Sequence, residues 1–367
     1  MLRKLLFYCG LLLFTISRLG AQNTDTIIWH DPSETLVRFE GQAWKDIGYQ
    51  RLPDKAKEQV RDAVWSLSKS AAGLGIRFEA DADSISVQYQ VDGNLAMYHM
   101  PATGVSGLDL YLKNGDNWLW CRGKYQFKDT IRYDFKVNKP PQGIREYLLY
   151  FPLYNTIKNL KIGVPSGSAL QFLPAETRKP VVVYGTSIAQ GACASRPGMA
   201  WTNILSRKLD YPVINLGFSG NGRLEPEVIA LINEIDAGVF VLDCLPNLSP
   251  NEKRTKDEIQ KRIRVSTRDL RKKHPQTPIL LVQHAGYSDG AIDSDRESVY
   301  KTLNIWMSES FENLKDEGFK NLYMLTKEEI NLSNDAFVDG THPTDLGMEQ
   351  YATAYEKKLR PLIQKMN

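Results

Sequence analysis

The chain has 367 residues, 46 basic and 43 acidic side chains, and 42% hydrophobic and 10% aromatic content. That is enough apolar material for more than one packed core, and a length for which two domains are expected. The near balance of charge, with no long basic block, excludes a nucleic-acid or anionic-membrane surface built on net charge, and four cysteines are too few for a disulfide framework.

In chain order, Arg3 and Lys4 precede an apolar run from Leu5 to Ile16 that closes near Gly20 and Ala21. This is the pattern of a cleaved export signal over 1–21, so the expected destination is the periplasm or the cell exterior. A membrane anchor needs about 20 apolar residues, and Ser17 and Arg18 interrupt this run too early. Cys9, between Tyr8 and Gly10, lacks the setting of a lipid-bearing cysteine. Removing the segment takes Arg3, Lys4 and Arg18 with it and leaves 43 charges of each sign, which suits neutral substrates. Of the remaining cysteines, a Cys193–Cys244 bridge stays open beside the plainer reading of buried thiols.

From Thr24 to Val164 short segments alternate with period two: Gly75–Ala80, Ser84–Val91, Leu108–Lys113, Asp116–Cys121 and Tyr147–Pro152. They predict an antiparallel β-sandwich domain over 22–174. Asn114-Gly115 predicts a tight hairpin, since that pair accepts positive φ. Lys55–Ser68 reads equally as a helix or a long irregular connection.

Residues 165–180 mix Gly, Ser, Pro and charge and read as a linker. Beyond it, over 175–367, β-branched runs alternate with helical patterns. The strands are expected at Val181–Tyr184, Val213–Asn215, Val239–Leu242, Ile279–Gln283 and Leu322–Leu325. The helices are expected near Met199–Leu209, Pro226–Glu234, Glu252–Lys273, Arg296–Glu317 and Asp345–Lys365. Such alternation specifies an α/β domain with a parallel sheet flanked by helices, and ligands of such sheets bind beyond the carboxyl ends of the strands.

Those ends carry the polar motifs. The first strand runs into Gly185-Thr186-Ser187, the second into Gly217-Phe-Ser-Gly220-Asn-Gly222, the third into Asp243-Cys-Leu-Pro-Asn247, and Asp339-Gly-Thr-His342-Pro343 precedes the last helix. A hydroxyl becomes a useful nucleophile when a base takes its proton, and the base works when its ring is held in one tautomer. Three residues of irregular chain let Asp339 hold one nitrogen of His342 while the other faces a serine. A strand-end glycine N–H and an asparagine amide are the donors a developing oxyanion needs. Each motif alone is also an ordinary turn or cap; four of them, after the first, second, third and fifth strands, are not.

With these blocks the C-terminal half, over about 178–365, resembles the SGNH (GDSL-like) hydrolase superfamily, whose fold is flavodoxin-like. The resemblance implies Ser187 as nucleophile, His342 as general base and then acid, and Asp339 as its orienter. It also implies an oxyanion hole from the Ser187 and Gly220 N–H groups and the Asn247 side chain. Thr186 stands where the first block usually has Asp, and Leu245 where the third usually has Gly. In the N-terminal half, Gly107-Leu-Asp109-Leu-Tyr111 resembles the Gly-x-Asp-Leu-Tyr signature of a jelly-roll-like β-domain that precedes one subgroup, typically exported and bacterial. Asp109 and Tyr111 themselves read as structural.

The expected activity is that of a serine carboxylic-ester hydrolase, resembling bacterial carbohydrate acetylesterases that act on small esters or acetylated glycans. The chemistry requires no metal or organic cofactor. The competing readings are a lipid esterase or thioesterase for longer acyl chains, an acyltransferase, and a non-catalytic carbohydrate-binding protein. Trp118, Trp120 and Trp201 can stack on sugars or fill cores. His284, after the fourth strand, reads as a core or rim residue.

Overall fold

The structure, a computed structural model, describes residues 26–35, 38–139 and 143–365; the expected export signal, Cys9 included, lies outside them. Among the described residues, period-two alternation produces ten strands in the N-terminal half: β1 (Ile27–His30), β2 (Gly75–Ala80), β3 (Ser84–Val91), β4 (Asp109–Asn114), β5 (Asn117–Cys121), β6 (Gly123–Gln126), β7 (Ile131–Lys136), β8 (Arg145–Tyr150), β9 (Ile157–Pro165) and β10 (Leu170–Phe172). They form two antiparallel five-stranded sheets, ordered β1-β9-β3-β7-β6 and β10-β2-β8-β4-β5. Alternate residues face inward, among them Ile76, Phe78, Ile85, Val87, Tyr133, Phe135, Tyr147, Leu149, Ile162 and Val164, and close a core between the sheets. The β4–β5 hairpin turns one residue later than Asn-Gly suggests. Asn114 pairs with Asn117, and only Gly115 of the two loop residues has positive φ, 58°, as a turn that requires it at the first central position permits.

The C-terminal half contributes β11 (Val181–Gly185), β12 (Val213–Gly217), β13 (Val239–Asp243), β14 (Ile279–Val282) and β15 (Leu322–Leu325). They form one parallel sheet in the order β12-β11-β13-β14-β15. Nine helices are described along the chain: α1 (Asp62–Ser68), α2 (Ala102–Val105), α3 (Ser187–Gln190), α4 (Trp201–Leu209), α5 (Pro226–Ile232), α6 (Lys256–Lys273), α7 (Ser294–Asp316), α8 (Lys327–Ile330) and α9 (Asp345–Gln364). The sheet is buried on both faces by two apolar layers, which is why its strands read as unbroken β-branched runs. Counted within this half, the strand order is 2-1-3-4-5, and the crevice where it reverses lies between β11 and β13. No helix among the described residues is long and apolar enough to cross a membrane.

Two features join the halves. The segment before β2 holds a 3-10 turn at Asp54–Glu58 and helix α1. Its Leu52, Ala56, Val60 and Val64 pack with Val182, Tyr184 and Leu216 of the parallel sheet. The span 22–174, expected as sandwich, thus includes a strap that belongs by packing to the other half. The second feature is the Gly-x-Asp-Leu-Tyr strand. Buried Asp109 accepts hydrogen bonds from Trp120 Nε1 (2.9 Å), Arg196 Nη1 (2.7 Å) and the Gly198 N–H (2.7 Å). Tyr111 Oη accepts from Arg196 at 2.7 Å and sits where a Cβ on Gly198 would come within 2.4 Å. Asp109 and Tyr111 therefore clasp the chain between α3 and α4. Cys121, Cys193 and Cys244 are all free thiols.

Candidate active site

Strand β11 delivers its end to the site as a fully buried Val-Val-Val-Tyr-Gly run paired on both sides. A Cβ on Gly185 would meet the Ala189 side chain at 2.6 Å, so glycine lets the chain turn at once into α3. Thr186 caps that helix, its hydroxyl accepting from the Ile188 N–H at 3.3 Å. It does here what the Asp of the usual block would do, and Ser187 becomes the first helical residue.

His342 lies in the loop before α9, closed by a bridge between Phe337 and Pro343 and by a hydrogen bond from the Val338 N–H to the His342 carbonyl, 2.8 Å. Gly340 takes φ 78° within it. Asp339 Oδ1 accepts the N–H groups of Thr341 (3.0 Å) and His342 (2.8 Å), and its Oδ2 lies 2.7 Å from His342 Nδ1. The other ring nitrogen, Nε2, is 2.8 Å from Ser187 Oγ. Burial alone would raise the Asp339 carboxyl, but the hydrogen bonds from His342 hold it below its ordinary value, so it stays an acceptor for the Nδ1 proton.

The loops after β12 and β13 sit against this pair. Gly222 is pressed on the end of β11, where a Cβ would lie 2.0 Å from the Gly185 carbonyl, and its N–H donates to Asn247 Oδ1 at 3.1 Å. The Ser219 N–H donates to Gln190 Oε1 of α3 at 3.0 Å. These ties fix the Asn247 amide by its oxygen and leave its nitrogen as donor. Among the described residues, Asn247 Nδ2 and the N–H groups of Ser187 and Gly220 donate to no protein acceptor. Gly220 has φ 68° and open space around its Cβ position. Leu245, in place of the usual glycine, is completely buried in the core.

Several supporting residues carry no motif that sequence reasoning could have used. Arg51 of the strap is buried and donates to the carbonyls of Ser70 (2.8 Å), Leu67 (2.7 Å) and Gly217 (2.6 Å). It stacks on Phe218 and so braces the loop that carries Gly220; burial lowers it to about 9. Arg296 of α7 donates to the Gly340 carbonyl (3.2 Å) and Thr341 Oγ1 (3.0 Å), steadying the histidine loop. Cys193, at φ 69°, has its thiol within 4.8 Å of ligand atoms of Asp339 and His342. Asp339 and His342 are engaged with each other, and burial, with the Asp339 charge nearby, pushes the thiol up to about 12. The trio thus fits a relay beside a neutral thiol better than a metal site, whose ligands must be deprotonated.

His284 lies in the core, its Nδ1 accepting from the Gly286 N–H at 2.9 Å. Trp201 is buried against Tyr355, Trp118 lies under Lys113, and Trp120 is half exposed beneath Arg196.

Two family models match the chain: the GDSL-like lipase/acylhydrolase family over residues 178–360 and the N-terminus of SGNH-hydrolase-type esterases over 27–170. A crystal structure from Bacteroides ovatus, assigned as a GDSL-like lipase, is 32% identical at a TM-score of 0.85, with 92% of this chain and 98% of that one covered. The chain belongs to the GDSL-like lipase/acylhydrolase family. Two other structures share the family fold. A salicylyl-acyltransferase from a tetracycline biosynthetic pathway is 17% identical, TM-score 0.73, over 92% of this chain and 97% of that one. A family two carbohydrate esterase from Cellvibrio japonicus is 11% identical, TM-score 0.58, over 93% and 99%. Comparison with curated proteins gave no match. As a member of the GDSL-like family the chain carries Thr186 and Leu245 in place of the usual Asp and Gly, the one capping α3 and the other filling the core.

Proposed function

We propose that this chain is an exported serine esterase that removes O-acetyl groups from carbohydrates through an acyl-serine intermediate. The observation that carries the reading is the hydrogen-bonded line from Ser187 Oγ through His342 to Asp339, at 2.8 and 2.7 Å, next to three unengaged donors. Ser187 Oγ attacks the ester carbonyl as its proton passes to His342 Nε2. The carbonyl oxygen, now an anion, takes hydrogen bonds from the Ser187 and Gly220 N–H groups and from Asn247 Nδ2. Collapse of this intermediate expels the alcohol, which leaves with the proton from His342. Water then gives a proton to His342 and attacks the acyl group, and the acid departs as Ser187 recovers its hydrogen. Asp339 holds the Nδ1 proton throughout.

The acetyl-carbohydrate assignment draws support from the carbohydrate esterases among the structural neighbours, and export from the pattern of residues 1–21. The likeness to an acyltransferase favours a second reading, in which an acceptor alcohol replaces water. The test is hydrolysis of p-nitrophenyl acetate, a long-chain p-nitrophenyl ester and acetylated xylan by the protein and by Ser187→Ala, with and without an added alcohol. Serine-dependent release of acetate from xylan supports the proposal. A preference for the long chain favours a lipid or thioester substrate, and an ester of the added alcohol as main product favours the transferase.

A further inference from the structure

The connection from β3 to α2 carries the sandwich half to the active site. The Met97 N–H donates to the Met100 carbonyl at 3.0 Å and the Met100 N–H to the Met97 carbonyl at 3.1 Å, closing a hairpin whose two-residue tip is Tyr98-His99. The tip is anchored on its C-terminal side. Met100, 2% exposed, packs in the layer that holds Ile188, Ala189 and Ala194 on and after the nucleophile helix. Thr103 Oγ1 donates to the Ser195 carbonyl at 2.7 Å. Gly104 lies so close to the Ala194 carbonyl that a Cβ would come within 2.3 Å.

At the tip, the His99 ring centre stands 6.2 Å from that of His342, with the planes inclined by 31°. His99 Nδ1 is shut off from solvent and has no hydrogen-bond partner among the described residues; Nε2 is the ring nitrogen left open to solvent. A buried unpaired N–H is costlier and rarer than an under-satisfied acceptor, so the neutral ring keeps its proton on Nε2, as a donor at the surface. Tyr98 is fully exposed, with its ring 4.6 Å from that of His99. An aromatic face and an outward N–H side by side are the pair that binds a sugar ring, one by stacking and the other by a hydrogen bond to a ring substituent.

We propose that Tyr98 and His99 form the subsite for the alcohol portion of the ester, Tyr98 stacking on a sugar ring and His99 Nε2–H donating to one of its oxygens. The sugar as occupant rests on the carbohydrate reading above; the position of the subsite does not. The residues act on specificity and take no part in bond making.

The test compares Tyr98→Ala, His99→Ala and His99→Gln with the parent on three acetates that differ in the alcohol: ethyl acetate, 2-naphthyl acetate and xylose tetraacetate. Thermal unfolding serves as the control for folding. The expected result is at least a tenfold fall in the ratio of kcat/KM for xylose tetraacetate to that for ethyl acetate in both alanine variants. The fall should lie in KM, and His99→Gln, which keeps an amide donor, should restore part of it. Equal losses on all three esters, or none, overturn the subsite. If the parent fails to prefer xylose tetraacetate to ethyl acetate, the carbohydrate reading fails by itself. The 2-naphthyl ester then decides the position: a selective loss on it keeps the subsite at Tyr98 and His99 with an aromatic alcohol as occupant, and no selective loss removes it.

Discussion

At the scale of single residues, the proposed mechanism separates groups that change charge from groups that hold them in place. Ser187→Ala should lower kcat by at least about 10⁴-fold while thermal unfolding stays close to that of the parent, because the hydroxyl's one described side-chain partner is His342. Asp339→Asn should leave a measurable residue of activity after a loss on the order of 10⁴ in kcat, since nucleophile and base remain and the tautomer is lost. Equal rates in Asp339→Asn and the parent would mean that the ring is oriented by its backbone setting alone. Asn247→Ala removes one oxyanion donor and should cost about 10²–10³ in kcat with little change in KM; a loss confined to KM would assign Asn247 to substrate binding. Ser187, Asp339, His342, Gly220 and Asn247 were all legible as candidates, because each stands at the end of a predicted strand or in the loop before the last helix, where reacting groups collect. What the departures Thr186 and Leu245 do was not legible. Capping and complete burial depend on neighbours that local sequence does not name.

At the scale of elements, both periodicities translated directly into structure. Strands β2, β3 and β15 begin and end where alternation or β-branched runs place them, the boundaries of the other named strands move by one to a few residues, and β1, β6, β7, β9 and β10 were not singled out. The strap was not legible. Its pattern between Lys55 and Ser68 is compatible with a helix, but the surface it covers lies on a sheet formed much later in the chain, and no local signal records a partner so distant. Arg51 shows the cost of that gap: no motif marks it, and it is buried beneath the loop of the second block. Arg51→Leu strips donors from the Ser70, Leu67 and Gly217 carbonyls and should destabilise the protein by about 3 kcal/mol or more. Arg51→Lys should recover a part, since a point charge cannot serve three directions with a planar fork. Denaturant unfolding measures both; a stability change below about 0.5 kcal/mol in Arg51→Leu would show that water replaces the guanidinium. The hairpin tip at Tyr98 and His99 escaped for the same reason, since its meaning arises only where two halves of the chain meet.

At the scale of the whole molecule, two buried titratable groups set opposing dependences of stability on pH. Burial pushes the Asp243 carboxyl up to about 7, against the pull of the Tyr355 hydroxyl that donates to it. Burial, with Arg296 adding to it, lowers His284 to about 3. Between about pH 4 and 6.5 the native protein keeps His284 neutral while an unfolded chain would protonate it, so this group makes stability rise with pH. Over the same window native Asp243 holds a proton that the unfolded chain would release, so it makes stability fall with pH. Each effect reaches up to about 1.4 kcal/mol per pH unit, and the two offset. Relative to the parent, Asp243→Asn should therefore gain stability as pH rises through this range, and His284→Asn should lose it. Urea unfolding at about pH 4, 5 and 6 reads both slopes; parallel curves for all three proteins would uncouple these groups from folding.

The strap also sets an order of events during synthesis. Leu52, Ala56, Val60 and Val64 emerge from the ribosome ahead of every sandwich strand but β1, and the surface that covers them, on Val182, Tyr184 and Leu216, follows only after the sandwich. At typical elongation rates the interval from Leu52 to β11 lasts roughly 6 to 25 seconds. Throughout it the nascent chain carries a short apolar segment without the sheet that buries it, while the sandwich strands β2 to β10 are being made. A stretch translated early thus settles late, and a truncation before β11 leaves it without the sheet that covers it.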